Sequence, residues 1–263
     1  MSDNEPWWGD FSLMEQQVMH WSIGERSIVI QRLAAEWSTW NVEVAEANID
    51  NLVRGEWLRP ELPDPAFLAR HLQQTTAENI RVRPALADRP VVIRPNVPLQ
   101  LLSGEQARLY ISTPLWFTAL TLPKEFVLLD VPFWRPSDSW FGPSTMEGEF
   151  CYAKYTDARL QLALLEQRPD RAITPICVAN KSKEILLIER LNIPVPLLHL
   201  YANSNNQLWT EAITITRESD GEMAKLHLEK QPPAEAKKAI LIEEPRMGTE
   251  KNTLIRTINS LFA

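Results

Sequence analysis

Glycine is scarce and scattered in this chain: positions 9, 24, 55, 104, 142, 148, 221 and 248 are its only eight, and no two stand closer than six residues. The phosphate-cradling loops GxGxxG and GxxxxGK[ST] and the strained GxSxG elbow each need glycines closer together than that, because only glycine lets backbone approach a phosphate or enter such a turn. The common nucleotide-binding and serine-hydrolase fingerprints are therefore excluded. Proline runs the other way, with 20 in 263 residues, about 8% against a usual ~5%. A chain this stiff favours short strands joined by extended connections.

Alternation of apolar and polar residues, rich in Val, Ile, Thr and Trp, supports that expectation along the whole chain. It predicts strands near 11–19, 26–33, 36–44, 90–94, 98–102, 107–112, 115–121, 125–131, 149–156, 173–179, 184–190, 195–201, 207–217 and 223–230. Two hairpins are legible. Leu208 to Arg217 and Met223 to Lys230 flank an Asp220-Gly221 reversal, which places Ile213, Ile215, Leu226 and Leu228 on one face and Thr214, Thr216, Lys225 and His227 on the other. Pro98 to Leu102 and Ala107 to Ser112 flank Ser103-Gly104-Glu105-Gln106 in the same manner.

Helix signals are few. Asp64-Pro65 offers a cap and a first-turn proline ahead of Phe67, Leu68 and Leu72, predicting a short helix over 65–74. Thr249 caps a second predicted helix in which Leu254, Ile255, Ile258, Leu261 and Phe262 share a face, either closing the core or docking a partner. Residues 45–55 read as a turn or two of helix or as a loop. Gln231 to Lys238, Pro- and Ala-rich, reads as a flexible connector, with Leu58 to Pro65 as a second. The expected fold is mostly β, an antiparallel β-sandwich or two packed antiparallel sheets, with the short helix and the C-terminal helix. It is read as a single β-rich unit over 1–263, with a subdivision near 84–90 into N-terminal strands and a main sandwich.

Charge and cysteine narrow the setting. Net charge is −7, with −6 in residues 1–131 and −1 in 132–263, and the only adjacent basic pair is Lys237-Lys238. Nucleic-acid binding, which draws affinity from clustered Lys and Arg, is not expected. No apolar run approaches the ~20 residues of a membrane-spanning helix, so no direct membrane insertion is expected. The opening residues Met1 to Pro6 carry two acids and no base, which argues against a cleaved export signal. Cys151 and Cys177, 26 positions apart with no CxxC, read as two reduced, buried thiols of a cytoplasmic protein.

The candidate site is the segment from Pro132 to Gly148, a connection of about 17 residues with no period of its own, longer than compact domains usually carry. It holds Trp134, Arg135, Asp138, Trp140 and Phe141, which are the candidate binding residues. The competing reading is a loop folded over one sheet with Trp134 and Trp140 as plugs. Glu147 and Glu149 stand two apart at a strand start with Asp138 able to fold toward them. These three are candidate ligands for a hard cation, or a catalytic carboxylate pair, although such acids are also commonplace on a solvated strand. No cofactor and no catalytic residue is assigned. His20, His71, His199 and His227 form no HExxH or HxH, and no local motif supports a nucleophile triad.

Tryptophan, at ten residues, outnumbers both phenylalanine and tyrosine. Trp37 and Trp116 lie on alternating strands and read as core. Trp7 and Trp8 are adjacent, so one of them is expected to be exposed or to cover an edge.

The segments Ser137-Asp138-Ser139-Trp140-Phe141-Gly142, Gly148-Glu149-Phe150-Cys151-Tyr152-Ala153, Ile193-Pro194-Val195-Pro196 and Leu208-Trp209-Thr210 resemble signatures of a family of prokaryotic proteins of unknown function, over roughly residues 130–217. That resemblance defines no catalytic residues. It implies a gene neighbourhood shared with small-conductance mechanosensitive channels, and hence an accessory to a membrane channel partner.

The expected function is that of a non-enzymatic binding or accessory protein, which captures a protein partner by burying loop aromatics while nearby acids set orientation. A homo-oligomer is left open. The alternative is a metal-assisted hydrolase or a carbohydrate-binding module that uses the same segment.

Overall fold

The computed structural model describes residues 5–44, 53–58, 61–142, 148–156, 158–218, 223–248 and 253–257. The chain is mostly β and divides into two compact units. The first comprises Met1–Ala85, Leu115–Trp134 and Arg168–Asp170; the second comprises Leu86–Pro114, Arg135–Gln167 and Arg171–Ala263. No helix among the described residues is long and apolar enough to cross a membrane.

The first unit is built from two antiparallel sheets. One runs Gly9–Ser12, Asn79–Ala85, Trp116–Thr121, Val127–Pro132; the other runs Val53–Leu58, Gln17–Ile23, Arg26–Leu33, Glu36–Glu43, Leu68–Leu72. Period-2 alternation directs Trp21, Ile28, Ile30 and Trp37 inward, each under 1% exposed. Aromatic rings fill the space between the sheets: Trp21 meets Phe117 edge-on at 5.2 Å, and Trp7 stacks on Phe117 at 5.8 Å and meets Phe133 at 5.0 Å. The indoles of Trp7 and Trp21 find acceptors, Trp7 Nε1 donating to the Pro169 carbonyl at 3.0 Å and Trp21 Nε1 to the Trp7 carbonyl at 3.1 Å. Of the Trp7-Trp8 pair, Trp7 is core and Trp8 is half-buried.

The helix predicted at 65–74 is not formed. Asp64 does cap, its Oδ1 accepting from the Ala66 N–H at 2.8 Å, but only one 3₁₀ turn, Pro65–Phe67, follows. Leu68 then turns extended, and Leu68–Leu72 pairs with Glu36–Glu43 as an edge strand. Backbone pairing along that edge satisfies five residues at once, and it puts Arg70 against Glu36, which outweighs a weak apolar stripe whose Phe67 and Leu72 remain exposed.

In the second unit a mixed sheet is organised around Arg171–Asn180. One edge of that strand takes Gln106–Pro114, antiparallel along its full length. Its other edge is shared by two parallel partners: Leu208–Thr210 meets it at Ala172 and Ile173, and Ile213–Arg217 meets it from Ile176 to Asn180. Pro175, with no N–H to give, falls in the interval between them. Leu200–Ala202 and Ile240–Glu243 extend the sheet beyond Leu208–Thr210, and Met223–Leu228 and Thr253–Thr257 extend it beyond Ile213–Arg217. A four-stranded sheet, Ser137–Phe141, Glu149–Thr156, Val91–Pro95, Leu191–Ile193, also contains a parallel pair. The wholly antiparallel expectation is thus corrected here, since alternation is the same for a half-buried strand whichever way its neighbour runs.

Other expectations meet mixed outcomes. The 213–228 hairpin puts the predicted residues on one face, with Ile213 opposite Leu228, Ile215 opposite Leu226 and all four side chains buried; its Asp220-Gly221 turn lies outside the described residues. Leu99–Leu101, however, pairs with Leu186–Ile188 and not with the strand that follows it. The C-terminal helix is replaced over Thr253–Thr257 by a strand on Met223–Leu228, where β-branched Thr253, Ile255 and Thr257 alternate. Thr249, Ile258, Leu261 and Phe262 lie outside the described residues, as do 45–52 of the ambiguous segment, whose remainder enters strand Val53–Leu58. The 231–238 connector is anchored: Ala236, 3% exposed, packs with Tyr110, Ile173, Tyr201 and Trp209. Cys151 and Cys177 are unbridged, the first buried and the second half-buried.

Candidate functional site

The segment expected to be an aperiodic loop is largely a strand. Ser137–Phe141 pairs antiparallel with Glu149–Thr156, with Asp138 opposite Tyr152 and Trp140 opposite Phe150. Residues opposite one another share a face. Asp138, Trp140, Phe150 and Tyr152 therefore stand on one side, and Ser139, Phe141, Glu149 and Cys151 on the other.

The first face is layered. Tyr152, 3% exposed, forms its floor, and its hydroxyl donates to Asp88 Oδ1 at 2.9 Å. Burial, with that hydrogen bond, pushes the Tyr152 phenol upward. The guanidinium of Arg89 lies over the Tyr152 ring at 5.4 Å and over Phe150 at 5.2 Å, and that of Arg135 lies over Tyr152 at 5.3 Å. Asp138 sits between the two cations, its Oδ1 3.2 Å from Arg89 Nη1 and 2.8 Å from Arg135 Nη2. The hydrogen bond to Asp138 raises the Arg135 guanidinium further. Beside this clamp, Phe150 (57% exposed) and Trp140 (37%) meet edge-on at 5.9 Å. Gly148 lies under the indole, where a Cβ would overlap it.

The candidate residues are thus dispersed. Arg135, Asp138 and Trp140 share this face. Phe141 is buried on the opposite one with Val92 and Cys151, under the Arg190 guanidinium at 5.3 Å, so it is core. Trp134 is half-buried and belongs to the first unit. Glu149 also points to the opposite face, where it accepts from Asn192 Nδ2, and Glu147 lies outside the described residues. Asp138 and Glu149 do not converge, and no group of three His, Cys, Asp or Glu side chains among the described residues could hold a metal ion.

Asp88, Arg89, Phe150 and Tyr152 are not among the site residues predicted from sequence. A loop over 137–141 has no cross-strand partners, although Phe150 and Tyr152 alternate on a predicted strand. A second constellation was also missed. Glu211, at the crossover between Leu208–Thr210 and Ile213–Arg217, has a fully buried side chain that accepts the His199 N–H at 2.6 Å and faces His199 Nδ1 at 3.1 Å. His199 Nε2 approaches Glu244 at 3.4 Å, and the Tyr201 ring stacks on the imidazole at 6.2 Å. Burial pushes the Tyr201 phenol up to about 12 and raises the Glu211 carboxyl, the latter against the pull of the His199 hydrogen bonds. His199 precedes Leu200–Ala202 and is half-buried.

No curated protein and no solved structure matches the chain. A family model described as "Protein of unknown function (DUF432)" matches residues 7–262, nearly the entire sequence, and the chain belongs to that family.

Proposed function

We propose that this protein acts by binding and not by turnover, and that the Trp140–Phe150 face with its arginine clamp receives a protein partner. The observation that carries the reading is the juxtaposition of two exposed aromatic rings in mutual contact with two guanidiniums already stacked on a buried tyrosine. Tryptophan, tyrosine and arginine dominate the energetics of protein interfaces, because they bury large areas while losing little side-chain freedom when held beforehand. A partner's apolar side chain would cover Trp140 and Phe150, with the charged groups at the rim fixing its orientation. The family resemblance points to a channel of the small-conductance mechanosensitive type as the membrane-borne partner, and a cytoplasmic location accords with that role.

The test is capture from membrane and cytosolic fractions of the native cell on immobilised wild-type protein, beside Trp140→Ala and Arg135→Glu. A partner retained by the wild type and lost from both variants, whose folding is intact by circular dichroism, is expected. Equal retention on all three would overturn the reading.

A further inference from the structure

We infer that the Arg89–Arg135 clamp is a carboxylate-recognition site whose resident occupant is the chain's own Asp138, and that the partner segment displaces Asp138 with an Asp or Glu side chain next to an apolar residue. The inference rests on the partner-binding reading above and names the chemistry of what binds.

Three observations lead to it. First, both guanidiniums address the same oxygen: Asp138 Oδ1 is 3.2 Å from Arg89 Nη1 and 2.8 Å from Arg135 Nη2, while Oδ2 is 2.9 Å from Arg135 Nη2. Secondly, the cations have contacts other than Asp138, Arg89 Nε also lying 3.7 Å from Asp88 Oδ2. Each lies over Tyr152, and Tyr152 is pinned through its hydroxyl to Asp88. Removing Asp138 would leave the two guanidiniums in place, their ordering cost already met. Thirdly, the clamp is open, with Arg89, Arg135 and Asp138 side chains 36%, 46% and 46% exposed, and the apolar platform of Trp140 and Phe150 lies beside it.

Charge selects among anions. With Asp138 swung out into solvent, Asp88 against Arg89 and Arg135 leaves the clamp one positive charge, which a singly charged carboxylate neutralises. A doubly charged phosphate would leave an excess negative charge next to Asp88.

The experiment titrates N-acetyl-Phe-Glu-amide, its Gln counterpart and a phosphoserine counterpart into wild type, Asp138→Asn and the double variant Asp138→Asn/Arg135→Gln, following the arginine side-chain N–H resonances. Asp138→Asn is expected to bind the Glu peptide at least tenfold more tightly than wild type does, to lose that gain with the Gln peptide, and to lose it again in the double variant. Equal affinity of wild type and Asp138→Asn for the Glu peptide, or a preference for the phosphoserine peptide, would overturn the inference. Thermal unfolding of Asp138→Asn checks that the fold is retained. If Trp140→Ala abolishes partner capture while Asp138→Asn shows no gain, this inference alone fails. If the gain appears while capture ignores Trp140, the partner-binding reading fails and the clamp stands.

Discussion

The carboxylate of Glu211 holds His199 by two separate groups, taking its backbone N–H at 2.6 Å and facing its ring Nδ1 at 3.1 Å. The eleven residues between them include the paired strands Leu200–Ala202 and Leu208–Thr210, so the contact closes the base of a hairpin. It also sits where the edge of Arg171–Asn180 changes partner, a place with backbone groups to satisfy and no ladder to satisfy them. Glu211→Ala leaves a buried donor unpaired and a void, and is expected to cost about 2–4 kcal/mol. Glu211→Gln keeps an acceptor and is expected to cost less. Because burial raises the folded-state value of Glu211 above its unfolded value, ionisation there opposes folding at pH above both, and this cost fades as pH falls through the interval. The stability of Glu211→Gln relative to wild type should therefore rise with pH in urea unfolding between pH 4 and 8. A pH-independent difference would show that the carboxylate is not ionised against its surroundings.

Glu36 behaves in the opposite sense. Arg70 Nε donates to its Oε1 at 2.8 Å, Arg70 Nη2 reaches Oε2, and Ser38 Oγ donates at 2.7 Å, which together hold the carboxyl at about 2, well below its ordinary 4.5. A depressed value stabilises the fold above the unfolded pKa, and the contribution is lost as pH falls from 4.5 toward 2. Arg70→Met should melt below wild type near neutral pH, and the two midpoints should approach each other over that acid interval. A gap that stays constant down to pH 2 would mean that Arg70 acts by packing its stem, with no electrostatic share.

How much of this was legible beforehand depended on what each signal encodes. Alternation located strands such as 26–33, 36–44 and 149–156 within a residue or two, and it put Ile213, Ile215, Leu226 and Leu228 on one face, because side chains repeat every second residue along a strand. It could not locate Leu68–Leu72, where a genuine Asp64 cap and a proline announce a helix that long-range pairing cuts to one turn. It also runs Gln207 to Arg217 together as one strand, although the chain breaks at Glu211 and Ala212, since Glu211 keeps the inward step of Ile213 and Ile215 and only its contact with His199 accounts for an acid there. The candidate site was legible as a neighbourhood and misread as a loop. Trp140 and Asp138 are named from sequence, whereas Phe150, Tyr152 and Arg89 need the cross-strand register, and Phe141, expected to bind, lies in the core on the opposite face.

The anchored 231–238 segment gives a kinetic prediction. Glu235 accepts from the Tyr110 hydroxyl at 2.7 Å and from Arg108 Nη2 at 3.1 Å, while Pro233 and Ala236 are buried. Lys237 and Lys238 next to them are exposed, yet cleavage there requires the turn to come away from the core on which Ala236 packs. Hydrogen bonds to a charged group contribute roughly 1.5–3 kcal/mol each. Glu235→Ala should therefore raise the rate of tryptic cleavage after Lys237 or Lys238 at least tenfold, with little change in global unfolding. An unchanged cleavage rate would mean that Ala236 alone secures the segment.

Gly148 tests whether the placement of the Trp140 ring matters as well as its presence. A Cβ at 148 would overlap the Trp140 indole and lie 2.8 Å from the Phe141 carbonyl oxygen, which belongs to the strand and cannot withdraw. The indole must then swing outward, losing its edge-on contact with Phe150. Gly148→Ala is expected to cost about 1–3 kcal/mol, the usual penalty of inserting a methyl into a filled space. The exposure of Trp140 should increase, read as acrylamide quenching that disappears when the same change is made in a Trp140→Phe background. On the binding reading, capture of the partner should weaken with tryptophan still in place, because a displaced ring no longer forms a continuous platform with Phe150. Unaltered quenching and unaltered capture together would mean that the backbone yields at Gly148, and that the position of the indole is set from the Phe150 side of the hairpin.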